Sequence, residues 1–101
     1  MAKKKIEKRP YVIVRSRGAG VFAGELETRD GGEATLRNAR RLWFWAGAAS
    51  LSQLSTAGTS QPSKCKFPVA VDRVIMLEVV EILDVTPAAR TSIEMVPVWS
   101  A

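Results

Sequence analysis

Between Pro10 and Ala46 the chain alternates runs of β-branched and aromatic residues with glycine-bearing turns, and few folds accept that pattern. Tyr11-Val12-Ile13-Val14-Arg15-Ser16 has the composition of a strand, with Pro10 at its mouth, where proline is tolerated. Arg17-Gly18-Ala19-Gly20 is a turn, and Gly20 to Thr28 is a second strand in which Phe22 and Leu26 share one face while Glu25 and Glu27 face away. Arg29-Asp30-Gly31-Gly32 is a second turn, Asp-Gly between two strand patterns being a strong hairpin signal. A third strand is expected from about Glu33 into Leu36–Ala46. Three strands joined by tight turns make an antiparallel meander.

The stretch Leu36-Arg37-Asn38-Ala39-Arg40-Arg41-Leu42-Trp43-Phe44-Trp45-Ala46 holds two of the three tryptophans and three arginines. As a strand it separates into two faces. Arg41, Trp43 and Trp45 lie on one, and Arg40, Leu42, Phe44 and Ala46 on the other, which is the better core face. Arg37 joins the tryptophan face if the strand is unbroken; a bulge at Asn38-Ala39 would shift the upstream register by one. Guanidinium groups beside indoles suit a nucleotide, because arginine pairs with phosphate through its planar fork and the ring offers a stacking surface. The competing reading packs both tryptophans under a helix, with the arginines snorkelling at the edge. The Arg15–Arg17 turn adds a weaker signal. Successive amides at Gly18 to Gly20 can form an anion-binding nest, although no lysine and hydroxyl follow to make a phosphate loop. The candidate ligand-binding residues are therefore Arg15, Arg17, Gly18, Gly20, Arg37, Arg41, Trp43 and Trp45.

The second half changes character. Ser50 and Gln53 match a capping box and Gly58 sits where a helix end wants glycine, so a short helix is expected over Leu51–Ala57. Thr59 to Pro68 reads as a loop. The β-branched content of Val74–Val85 selects strand over a helix of about three turns, with a break near Glu78. Thr86-Pro87 reads as N-cap and first residue of a second helix through Glu94. Val96-Pro97-Val98-Trp99 is apolar and extended, and is expected to dock on the body or on a second subunit.

Charge and chemistry narrow the function. Residues 1–41 hold 11 Lys/Arg against 5 Asp/Glu, and residues 42–101 hold 4 against 5, so the net charge of +5 sits in the first half and favours an anionic partner. Histidine is absent, which removes the commonest general base and metal ligand. The single cysteine, Cys65, allows no intrachain disulfide and lacks a histidine to activate it. Glu78, Glu81 and Asp84 form an acidic cluster with no phosphate motif beside it and read as solvent-facing charges. No catalytic residues, metal ligands or cofactor are assigned, and an enzyme is not expected. No apolar run is long enough to span a membrane. Residues 1–9 are expected to be a basic flexible tail that is no secretory signal, and residues 10–101 a single domain.

The run Tyr11 to Gly24, the block Arg40 to Leu54, and the pieces Cys65-Lys66-Phe67-Pro68 and Val96-Pro97-Val98-Trp99 resemble a family of small uncharacterised bacteriophage proteins. That resemblance implies a phage or prophage origin and a bacterial cytoplasmic setting, and carries no mechanism. The expected fold is α+β: an antiparallel sheet of about five strands, with curling into a partly open barrel left open, and two short helices on it. The expected function is non-enzymatic binding of an anionic ligand, a nucleotide, a nucleotide-derived signal or nucleic acid, with sequestration against host defence as its purpose. The alternative is a protein-interaction or structural module, an oligomeric virion part or an inhibitor of a host enzyme, so a host protein partner is open. A homo-oligomer is expected in either case.

Overall fold

The computed structural model describes residues 4–5 and 8–100. Among them the chain forms β1 (Lys4–Lys5), β2 (Tyr11–Ser16), β3 (Gly20–Asp30), β4 (Glu33–Arg41), α1 (Leu51–Ala57), a 3-10 turn (Pro62–Lys64), β5 (Val71–Met76), β6 (Val79–Asp84) and α2 (Pro87–Met95). The strands make one antiparallel sheet in the order β5-β4-β3-β2-β6, with β1 beside β3. This is the α+β architecture expected from the sequence.

The sheet is curled, and its connectivity requires it. β5 and β6 occupy opposite edges, yet only Leu77 and Glu78 separate them. Met76 pairs with Ala34 at one edge and Val79 with Ser16 at the other, so the two edges must approach at this end. Two irregularities let β3 and β4 bend together. Asn38 and Ala39 of β4 stand opposite Gly24 alone, with Asn38 at φ +49, and Glu27 of β3 is the extra residue between the pairs Leu26–Leu36 and Thr28–Thr35. Such bulges sharpen local twist. Glu78, at φ +53, makes the reversal. Its carbonyl accepts from the Arg17 amide at 3.0 Å, and the Val79 amide donates to Gly32 at 2.9 Å, fastening the crossing to both hairpin turns. The sheet does not close, since β5 and β6 share no ladder.

The curl creates two cores. Val12, Val14, Phe22, Leu26, Leu36 and Met76 face inward and bury one another without any second layer. The outer face is covered by the helices and the 59–68 loop, where Tyr11, Ile13, Leu42, Leu54, Phe67 and Ile93 meet. β2 contributes alternate residues to both, as period-two geometry dictates. Both helices form where their local chemistry places them. The Ser50 hydroxyl caps α1 by accepting from the Gln53 backbone amide, and the Gln53 side-chain oxygen accepts from the Ala49 amide. Thr86 caps α2 through the Ala89 amide.

One expectation needs correction. The third strand does not run through the tryptophans. It ends at Arg41, because β3 begins at Gly20 and offers only the Val21 carbonyl beyond it, to Leu42. The amides of Trp43 and Phe44 turn instead to the Lys66 carbonyl, and Phe44, expected in the core beside Leu42, is 49% exposed. The tail expectation for residues 1–9 lies partly outside the described residues; within it, Lys4 and Lys5 pair with Arg29 and Thr28, and Arg9 lies 3.1 Å from Glu27. The extended C-terminal segment docks on the body as expected, Val98 pairing in parallel with Phe67.

Candidate ligand-binding cleft

The last residues of β4 build the site. Arg41 pairs with Phe22, lies over its ring at 4.4 Å, and donates through Nη1 to the Ala19 carbonyl at 2.7 Å. That bond ties the strand end to the Arg17–Gly20 turn, where Gly20 takes φ +84. Arg41 has no carboxylate partner among the described residues. Leu42 is buried in the outer core, so parity returns Trp43 to the Arg41 side, 64% exposed. Trp45 is partly buried and packs against the outer core. The result is a cleft of about 300 Å³ walled by Gly18, Ala19, Gly20, Arg41, Trp43 and Trp45.

Five of the eight expected site residues thus meet: Gly18, Gly20, Arg41, Trp43 and Trp45. Arg15, Arg17 and Arg37 do not line the cleft. Arg15 sits opposite Glu81 across the β2–β6 ladder and bonds it at 3.0 Å. Arg17 projects into solvent, 3.9 Å from Glu78. Arg37 is carried to the other face by the Asn38-Ala39 bulge, where it donates to Glu27 at 2.8 Å and Asp72 at 3.0 Å. That pairing lowers the Glu27 carboxyl below its ordinary value, chiefly through the Arg37 hydrogen bond, and raises Arg37. Of the turn's amides, two are already engaged. The Arg17 amide bonds Glu78, and the Ala19 amide bonds the Ser16 hydroxyl at 2.9 Å.

Sequence reasoning missed a second polar centre. Arg40, 7% exposed, donates to four carbonyls: Pro68 at 3.0 Å, Ile93 at 2.9 Å, Phe67 at 2.9 Å and Val96 at 2.7 Å. Two of these belong to the last turn and C-cap of α2, where a cation meets the negative end of the helix dipole. Burial lowers its pKa. The one available signal was its position on the core face with Leu42.

Cys65 is buried, with Sγ 3.5 Å from the Ala46 carbonyl. Among the described residues no three His, Cys, Asp or Glu side chains group as a metal site, and no helix is long and apolar enough to cross a membrane.

Fold and cleft together define a small curled-sheet α+β domain with an aromatic, cationic hollow at the end of its fourth strand. The chain belongs to the family described as a domain of unknown function, DUF6948, whose model matches residues 9–93. That span includes β2 through most of α2 and every residue of the cleft. No curated protein and no solved structure matches it.

Proposed function

We propose that this is a non-catalytic, phage-encoded binding protein whose Arg41–Trp43 cleft receives an anionic ligand carrying a flat ring: a nucleotide, a nucleotide-derived signal or a nucleic-acid strand. The supporting observation is an indole 64% exposed beside a guanidinium with no carboxylate partner among the described residues. Exposing a large aromatic ring costs hydrophobic stabilisation, and a stacked base would recover it. The Ala19 carbonyl holds Arg41 in place, and its remaining donors are available to phosphate. The non-catalytic reading rests on the absent histidine and on a buried thiol as the only cysteine. The resemblance to bacteriophage proteins supports the setting, sequestration of a host molecule in the bacterial cytoplasm.

The test is a titration of nucleotides and a single-stranded oligonucleotide against wild type, Arg41→Ala and Trp43→Ala. Loss of the stacking ring should cost about 1–3 kcal/mol of binding, while stability changes by less than about 1 kcal/mol for so exposed a residue. Arg41→Ala should also flatten the salt dependence of oligonucleotide binding. Absence of binding by every probe, or Trp43→Ala binding as wild type does, overturns the reading.

A second reading, a protein-interaction module or homo-oligomer, is favoured by one observation. Phe44 and Trp99 flank the Lys66 ammonium at 5.9 and 5.6 Å, and with Trp43, Val98 and Met95 they leave much apolar surface exposed. Light scattering at micromolar concentration separates the two readings. A dimer that Trp43→Ala or Phe44→Ala dissociates supports the second, and a monomer that binds nucleotide supports the first.

A further inference from the structure

A larger hollow, of about 480 Å³, lies between α2 and the outer face of the sheet, within the size range of small-molecule sites. Its polar wall is Tyr11, Arg40, Arg90, Glu25 and Glu94, and Val69 and Val98 supply an apolar wall. Tyr11 is 8% exposed and lines the hollow, and its hydroxyl, which makes no hydrogen bond among the described residues, is not sealed in the core and stays open to a ligand. Its ring is held from outside by Arg90, whose guanidinium lies 4.6 Å from the ring centre. Burial, and secondarily the Glu94 carboxylate, pushes the phenol up to about 12, so it remains a donor at neutral pH. Beside it, Arg40 has five N–H donors, and its four bonds to carbonyls leave one over. None of its partners is a carboxylate, so the carbonyl dipoles soften its charge without cancelling it.

The opposite imbalance stands across the hollow. Arg90 is the single cation between two carboxylates, Glu25 at 3.4 Å and Glu94 at 3.1 Å. One positive charge at Arg40 and one surplus negative charge at the Glu25–Arg90–Glu94 cluster therefore face the same space. The matching ligand is itself dipolar.

We propose that this hollow is a second binding site, for a small zwitterion of the amino-acid type with an apolar side chain. Its carboxylate accepts from the Tyr11 hydroxyl and the remaining Arg40 N–H. Its ammonium lies against Glu25 and Glu94, and its side chain lies against Val69 and Val98. The site shares no residue with the Arg41–Trp43 cleft, so its failure would leave that reading intact.

The experiment titrates the full chain with L-leucine, with 4-methylpentanoate, which lacks the ammonium, and with isopentylamine, which lacks the carboxylate, reading amide chemical shifts and heats. Leucine should bind, and each singly charged analogue should bind about tenfold more weakly or worse, the loss of one charge-assisted contact. Tyr11→Phe keeps the ring and its Arg90 contact and removes only the unpartnered hydroxyl. It should melt at the wild-type temperature and bind leucine about tenfold more weakly. Glu94→Gln should weaken leucine and leave 4-methylpentanoate unchanged or stronger. No leucine binding at millimolar concentration, an analogue that binds as tightly as leucine, or wild-type affinity in Tyr11→Phe overturns the proposal.

Discussion

Arg40 and Arg41 leave β4 on opposite faces, and that difference decides what each removal costs. Arg40→Met leaves four carbonyls and the end of α2 without their shared donor. Breaking such a buried charged network costs about 3–5 kcal/mol, and a denaturant melt would read it directly. Arg41→Ala removes one bond to an exposed turn carbonyl, and should cost under about 1 kcal/mol. Equal losses in the two variants would contradict these roles. Tyr11 gives the pH prediction. It is the only tyrosine, so absorbance of the phenolate reports it alone. Its pKa is raised from 10.0 to about 12, chiefly by burial. The folded state thus keeps a proton that the unfolded state loses, and the stability this confers is full below pH 10 and lost as pH rises to about 12. The two-unit shift corresponds to about 2–3 kcal/mol. The phenolate should appear late, and together with unfolding; a midpoint near 10 in folded protein would show that Tyr11 is not desolvated. At this scale the sequence revealed the parity of Arg41 and Trp43, because side-chain alternation is local. It could not reveal the partners of Arg40, which come from residues 67–68 and 93–96, brought in only by the fold.

Elements governed by their own residues were legible, and those ended by distant ones were not. Helix α1 begins and stops where Ser50 and Gly58 say it should, because caps act within one turn. The Leu77-Glu78 break was visible in the acidic interruption of an apolar run. The end of β4 was not, since it depends on where β3 starts and on a carbonyl at Lys66. The Asn38-Ala39 bulge was visible only as an option, and it decides which face receives Arg37. Gly24 is the residue that permits it. A Cβ there would stand 3.0 Å from the Arg37 carbonyl oxygen and 3.1 Å from Ala39 Cα, both backbone atoms that cannot step aside cheaply. Gly24→Ala should therefore cost about 1–3 kcal/mol. Gly18→Ala, which meets open space, should stay within about 0.5 kcal/mol of wild type. Thermal melts of the pair test whether the bulge is tightly packed. A neutral Gly24→Ala would mean that the strands can separate there without loss.

At the scale of the molecule, β2 is the element on which both cores depend. Ile13 faces the helices while Val12 and Val14 face the inside of the curl, and β6 reaches β2 only after the chain has passed through every other strand. Neither core can lose β2 and survive, so the helical layer and the sheet should unfold as one unit despite burying separate sets of side chains. The tryptophans make this measurable. Trp45 packs against the outer core and Trp99 is bonded to Phe67 there, while Trp43 is already exposed, so the change in tryptophan fluorescence on unfolding is weighted to the helical side and far-ultraviolet circular dichroism to the whole backbone. In urea the two transitions should coincide. Ile13→Ala on the outer face and Leu36→Ala inside the curl should each lower stability by about 2–5 kcal/mol. Both should shift both signals together, because each residue is fully buried. If Ile13→Ala moved the fluorescence transition ahead of the dichroism transition, the helices would be a separable layer on an independently stable sheet. Arg40, which ties α2 to β4, would then be the bond that sets how often that layer opens.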